Sequence, residues 1–153
     1  MAAVLLVIDQ VSKLLVYAYL PRHEGILVIP HLIQFEYVEN EGAAFGLFAD
    51  QRWIFMTTTT IFLLAAIVFF IRSKTRSKMV IYALMLIVSG GIGNMIDRVC
   101  RGYVIDFIDF VFMQFYTFNI ADCCVVIGCC LLVLYLLIDI FKEAGKGKNE
   151  QTE

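Results

Sequence analysis

The chain has 153 residues, 61% of them hydrophobic and 17% charged, with a formal net charge of −2. A soluble domain carries roughly 45–50% apolar residues, so the excess apolar surface calls for lipid as its solvent, and the mean hydropathy of +0.82 agrees. The length fits one domain, and the near-neutral charge offers no basic footprint for a nucleic acid.

A membrane-crossing helix needs about 20 mainly apolar residues. Four stretches qualify: 2–20, 53–71, 79–99 and 122–141. The first lacks the basic n-region and small-x-small cleavage site of a secretory leader, and Asp9 and Lys13 interrupt its apolar run. It reads as a retained helix. A charge inside a bilayer costs at least ~2.5–3.5 kcal/mol, so each one needs a partner or a task. Asp9 and Lys13 are four apart, share a helix face and can pair, with Gln10 beside them. Their expected role is structural, locking the first helix to its neighbours.

The link 21–52 alternates Ile33, Phe35 and Tyr37 with Gln34 and Glu36, which predicts a strand over 32–38. Its two histidines, His23 and His31, are isolated and have no ligand-spaced partner. The second helix is cleanly apolar. After it, Arg72, Lys74, Arg76 and Lys78 crowd a short link. The third helix ends in Ser89-Gly90-Gly91-Ile92-Gly93-Asn94-Met95-Ile96-Asp97-Arg98. Its glycines admit a close neighbouring backbone. Asn94, Asp97 and Arg98 fall at i, i+3 and i+4 and line one face; Arg98 can pair with Asp97 or hold a substrate carbonyl.

Segment 100–121 holds Asp106 and Asp109 among Phe107, Phe110, Phe112, Phe115 and Phe118. The rings fit either an aromatic belt that fixes depth or, as favoured here, a platform beside a lipid-facing groove. Asp109 reads as a surface residue. Asn119 and Asp122, three apart, open the fourth helix in a capping arrangement, where the helix dipole favours a carboxylate. Within that helix lie Cys123, Cys124, Cys129 and Cys130; with Cys100, they form no C-x-x-C or Cys/His spacing suited to zinc. They read as small apolar residues in lipid, and neither metal nor cofactor is expected. Residues 142–153, polar and rich in Gly and Lys, are expected to form a disordered tail.

Basic residues gather in the 72–78 link and after the fourth helix at Lys142, Lys146 and Lys148, whereas link 21–52 has only Arg22 and Arg52 at its ends. The positive-inside rule therefore places both termini in the cytoplasm and segments 21–52 and 100–121 outside. Most intramembrane polar residues then lie toward the outer face. Alone, Asp106 reads as a solvated loop residue and Asp122 as a helix-end carboxylate. Together, two carboxylates at one depth among apolar residues, with no Ser/His, Cys/His or metal set, point to an aspartic-protease pair. One ionised member takes a proton from water and one protonated member polarises the scissile carbonyl. A small transporter or channel is the rival reading. It would place polar groups at successive depths, and helices two and four offer almost none. A presenilin-like protease would carry G-x-G-D, where this chain has Gly91-Ile92-Gly93-Asn94.

The chain also resembles the lipoprotein signal peptidase (signal peptidase II) family. Asp9-Gln10-Val11-Ser12-Lys13 is similar to its D-Q-x-[ST]-K element, and Asn40-Glu41-Gly42-Ala43-Ala44-Phe45-Gly46 to its N-x-G-A-[AS]-[FW]-[GS] loop. Residues Gly91 to Arg98, Val104 to Phe107, and Phe118 to Asp122 resemble G-x-[GA]-N-x-[IL]-D-R, V-x-D-[FM] and F-N-x-A-D, in the family's order. The resemblance implies an aspartic endopeptidase of the bacterial plasma membrane with four transmembrane helices and a small extracytoplasmic β-cradle. It implies cleavage of prolipoproteins just before a diacylglyceryl-modified cysteine, and inhibition by the cyclic peptide globomycin. Asp106 and Asp122 match the catalytic pair; Asn40, Gly42, Phe45, Asn94, Arg98 and Asn119 match the site lining. Asp9, Lys13 and Asp97 are expected to be structural. Substrate lipoproteins and membrane lipids are the expected partners, and the enzyme is expected to act as a monomer. Family members often carry some basic residues before the first helix; here eight uncharged residues precede Asp9.

Overall fold

The computed structural model describes residues 1–42, 52–72, 77–113 and 115–149. Its elements run α1 (Ala2–Tyr19), β1 (Ile26–Ile29), β2 (Ile33–Asn40), α2 (Arg52–Arg72), α3 (Lys78–Cys100), β3 (Val104–Phe110) and α4 (Ile120–Asn149). By length and composition α1, α3 and the Ile120–Lys142 part of α4 can each cross a membrane, and α2 offers a shorter apolar stretch, Met56–Arg72. The helices match the four predicted spans to within two residues except at the end of α4. That helix continues to Asn149, so the predicted disordered tail from 142 is helical in backbone through 149. Lys142, Glu143, Ala144 and Lys146 are good helix formers that extend the apolar run before them, against Gly145 and Gly147, each costing about 1 kcal/mol relative to Ala.

Helix α3 is the hub, packing on α1, α2 and most extensively on α4. Small residues make the α3–α4 approach possible. A Cβ on Gly90 would collide with the Ala121 carbonyl oxygen, and one on Gly128 would lie 2.8 Å from the Ala83 carbonyl oxygen. The apolar side chains left over face outward: Ile61, Phe62, Phe70, Val126 and Phe141 are all exposed, as lipid solvation allows.

The three strands form one antiparallel sheet in the order β1-β2-β3. The predicted strand is β2, two residues longer at its C-terminal end and starting one later. Link 29–32 turns tightly: the Leu32 amide donates to the Ile29 carbonyl at 3.0 Å and His31 has φ of 60°. Pro30 before a positive-φ residue is the pattern of a type II turn, which accounts for one of the two isolated histidines. Strand β3 departs from α3 through Gly102 at φ 90°. A left-handed residue one position past the helix end reverses the chain at little steric cost.

The sheet sits on the end of α1. Val16 from α1, Tyr37 from β2, and Ile105 and Phe107 from β3 form a buried cluster, with Leu20 and Ile120 against it. Arg22 staples the junction. Its guanidinium lies 3.7 Å from the Tyr37 ring centroid and 4.8 Å from that of Tyr17, and it pairs with Glu39 at 3.3 Å. After β3 the chain returns so that Phe118 bridges Ile108, with the Ile108 amide donating to the Phe118 carbonyl at 2.8 Å. That return puts the start of α4 directly beside β3.

Candidate active site

The chain direction at two junctions decides where the polar residues meet. Register pairs Val38 with Asp106 and Asn40 with Val104, so the end of β2 runs along the start of β3. The Phe118–Ile108 bridge brings Asn119 to the same place. Asn119 is the N-cap of α4. Its Oδ1 accepts the Asp122 amide at 3.0 Å, and Asp122 Oδ2 accepts the Asn119 amide at 3.2 Å. This reciprocal exchange satisfies two amides of the helix start, so the capping expected from the spacing is present. It also fixes the Asp122 carboxylate to the side of Asp106.

Side-chain amides tie the two carboxylates together. Asp106 accepts Asn119 Nδ2 at 2.6 Å on one oxygen and Asn40 Nδ2 at 2.8 Å on the other. Asp122 accepts Asn94 Nδ2 at 2.7 Å. Asn119 Nδ2 also reaches Asn94 Oδ1 at 3.2 Å. Asp106 is 2% exposed and Asn119 wholly buried, so Asp106 is no solvated loop residue; it sits inside, on a strand. Burial, then the neighbouring Asp122 charge, pushes its carboxyl up to about 7, against the opposing donors Asn40 and Asn119 and the charge of Lys13.

Behind this set lies a buried ionic chain. Lys13 Nζ lies 3.0 Å from Asp9, 2.8 Å from Asp97 and 2.8 Å from Asn94 Oδ1. The predicted Asp9–Lys13 pair is therefore present and larger than predicted. Asp97 is held by Lys13 and by an ion pair with Arg101, one helical turn on. Arg98 points instead to the cavity and donates to the Gly42 carbonyl at 3.4 Å. Asp9 additionally accepts the Ala121 amide at 2.9 Å and Gln10 Nε2 at 3.1 Å. Gly93 makes room for it, since a Cβ there would lie 2.5 Å from Asp9 Oδ2.

Asn40, Gly42, Arg98, Asp106 and Asp122 all line one cavity of about 590 Å³. Phe110, Phe115 and Phe118 form its aromatic side, with Phe110 and Phe118 ring centroids 5.1 Å apart. Val126 and Ile127 of α4 form another wall and are themselves outwardly exposed. Cys123 also lines it, a position the reading of the cysteines as small apolar residues in a lipid-embedded helix does not anticipate; its adjacency to Asp122 was the available signal. Cys129 and Cys130 are exposed and Cys124 is buried. Asp109 lies outside this set and takes Gln34 Nε2 at 2.7 Å across the sheet. Phe45 lies outside the described residues.

The family model for signal peptidase (SPase) II matches residues 1–138. The chain belongs to the signal peptidase II family. The lipoprotein signal peptidase of Symbiobacterium thermophilum is 39% identical over 141 residues, spanning 90% of this chain and 92% of that one. The Clostridium tetani lipoprotein signal peptidase is 38% identical over 143 residues, spanning 92% and 89%. A bacterial membrane enzyme solved at 2.3 Å resolution superposes with a TM-score of 0.86 at 35% identity, covering 91% of this chain and 86% of its own. With these neighbours, the three helices long and apolar enough to cross a membrane among the described residues make this signal peptidase II chain a multi-pass membrane protein.

Proposed function

We propose that the chain is the aspartic endopeptidase its family membership implies, removing signal peptides from prolipoproteins, and that Asp106 and Asp122 do the chemistry. The observation that carries this reading is that the two carboxylates line one cavity and are linked by Asn119 and Asn94. Asp106, held up to about 7, keeps a proton near neutral pH and donates it to the scissile carbonyl oxygen. Asp122, ionised, takes a proton from the attacking water, whose oxygen bonds to the carbonyl carbon. The tetrahedral intermediate then returns its proton to Asp106 as the C–N bond breaks, and Asp122 passes its proton to the leaving amine. The Asn donors hold both carboxylates in place through these steps.

The substrate is cut just before its diacylglyceryl-modified cysteine. The acyl chains lie in the part of the cavity bounded by Val126, Ile127 and the Phe110–Phe115–Phe118 rings, where the walls are apolar and continue onto the lipid-facing side of α4. Globomycin-like peptides occupy the same cavity, and membrane lipids surround the helices. The purified protein is expected to cleave a lipid-modified prolipoprotein and to leave its unmodified counterpart uncut. Cleavage of neither overturns the activity, and equal cleavage of both overturns the lipid-recognising role of the cavity.

The same reading makes α2 the fourth crossing, with both termini cytoplasmic and the sheet and cavity at the extracytoplasmic face of the plasma membrane. The basic residues of 72–78 and 142–148 support it. In a variant lacking the native cysteines, Ser77→Cys is expected to react with an impermeant maleimide only after the cells are permeabilised. Labelling in intact cells reverses the topology. A monomer is the expected working unit, since both carboxylates and all the described cavity lining come from one chain.

A further inference from the structure

The buried ammonium of Lys13 is out of proportion to a pair with Asp9 alone. It is wholly inaccessible and lies at the meeting point of α1 and α3, against Asp9 on its own helix and against Asn94 and Asp97 on the next. Asn94 spends its carbonyl on Lys13 at 2.8 Å and its amide on Asp122 at 2.7 Å. An Asn side chain cannot rotate without breaking both bonds at once, so Lys13 fixes which end of Asn94 faces the carboxylate. Charge makes the second half of the case. Asp9, Asp97, Asp106 and Asp122 lie in or beside this chain, together with Lys13, Arg98 and Arg101. Four carboxylates and three cations leave one negative charge too many for a water-poor site. A single proton on Asp106 or Asp122 brings the cluster to neutrality, which is the state an aspartic pair needs.

We infer that Lys13 is a positioning residue of the catalytic pair, orienting Asp122 through Asn94 and supplying the buried charge that leaves the pair with one proton. This rests on the assignment of Asp106 and Asp122 as the pair. The groups that face Asp106 are Asp122 from α4, Lys13 from α1, Arg98 from α3, and the Asn40 and Asn119 amides. Among the charged ones, Lys13 opposes the upward push of burial and of Asp122 on Asp106.

The test is the pH dependence of kcat/KM toward a lipid-modified prolipoprotein for three purified variants. Loss of activity at high pH reports ionisation of the proton-bearing carboxyl, here Asp106. Lys13→Met removes a nearby positive charge, so the alkaline limb is expected to move up by about one pH unit. Asp97→Asn touches neither carboxylate of the pair and removes a negative charge that lies behind Lys13, so the limb is expected to move down, by less than Lys13→Met moves it up. The double variant Lys13→Met with Asp97→Asn removes one charge of each sign, and its limb is expected to fall between that of Lys13→Met and the wild-type position. A merely structural Lys13 would lower the active fraction and leave every limb where it was; that result overturns the inference. Should Lys13→Met fail to fold, Asp97→Asn decides alone, and an unmoved limb in the folded variant overturns the inference equally. Activity in Asp106→Asn or Asp122→Asn would instead defeat the assignment of the pair.

Discussion

Asp106→Asn and Asp122→Asn are each expected to abolish prolipoprotein cleavage while leaving the protein folded. Asn keeps the size of the side chain and one acceptor oxygen, enough for one of the two amides that Asn40 and Asn119 donate to position 106 or for the one that Asn94 donates to position 122. At position 122 the backbone half of the cap survives, since the amide of 122 still donates to Asn119 Oδ1, and that bond holds the helix start. What it loses is proton exchange. General acid–base groups contribute about 10²–10⁴-fold each, and groups that act as a unit are not additive, so either substitution should remove nearly the whole effect. The double variant is expected to be no worse than the singles. Single-turnover cleavage, with binding of a globomycin-like inhibitor as the check on folding, measures this. Measurable turnover by a folded single variant would refute the pair. Wild-type activity should fall as pH rises through the region of about 7 where Asp106 ionises, and fall again on the acid side once the pair holds two protons, giving a bell whose two apparent pKa values belong to the pair. EDTA should change nothing; loss of activity that zinc restores would replace this mechanism with a metal-dependent one.

Asp9→Ala is expected to have the second-largest effect, and chiefly on stability. It removes one of the two carboxylates against Lys13 and the acceptor of the Ala121 amide. Lys13 and Asp9 are essentially inaccessible, so water cannot take over. Breaking a buried pair by deleting one partner costs about 3–5 kcal/mol. The expected readout is a large fall in the detergent melting temperature and in yield, with specific activity of the surviving folded fraction reduced much less. An Asp9→Ala protein as heat-stable as wild type but inactive would move Asp9 into the catalytic machinery.

The helices were legible because lipid imposes a simple rule: long apolar runs, interrupted only where a charge has work to do. Asp9, Lys13, Asn94, Asp97 and Arg98 stood out for that reason. Their partners were only partly legible. The Asp97–Arg101 pair has the i,i+4 spacing that a helix face predicts and was missed in favour of Arg98 next door; the pairing of Asp97 with Lys13 was hidden, because a contact between α1 and α3 has no signature in spacing. Strand β2 was visible from its alternation. Strand β3 was not, because Val104, Ile105, Asp106 and Phe107 are all buried and show no alternation. The same double-sided burial hid the environment of Asp106, which read alone as a solvated loop residue. Only its company with Asp122, and then the family resemblance, pointed to the role proposed for it.

The bond from Asp9 to the Ala121 amide spans 112 positions of the chain. A polypeptide is made and inserted from its N-terminus, so α1 reaches the membrane carrying Asp9 and Lys13 long before α4 exists to receive them. Asp97 and Asn94 complete the ammonium's partners only when α3 arrives, and the carboxylate of Asp9 is fully satisfied only when α4 docks. Until the last helix is in place the early ones hold poorly compensated charge in lipid, and Asp122 is absent from the cavity. The buried ionic chain and the polar wall of the cavity are therefore completed in one step, by the docking of the same helix.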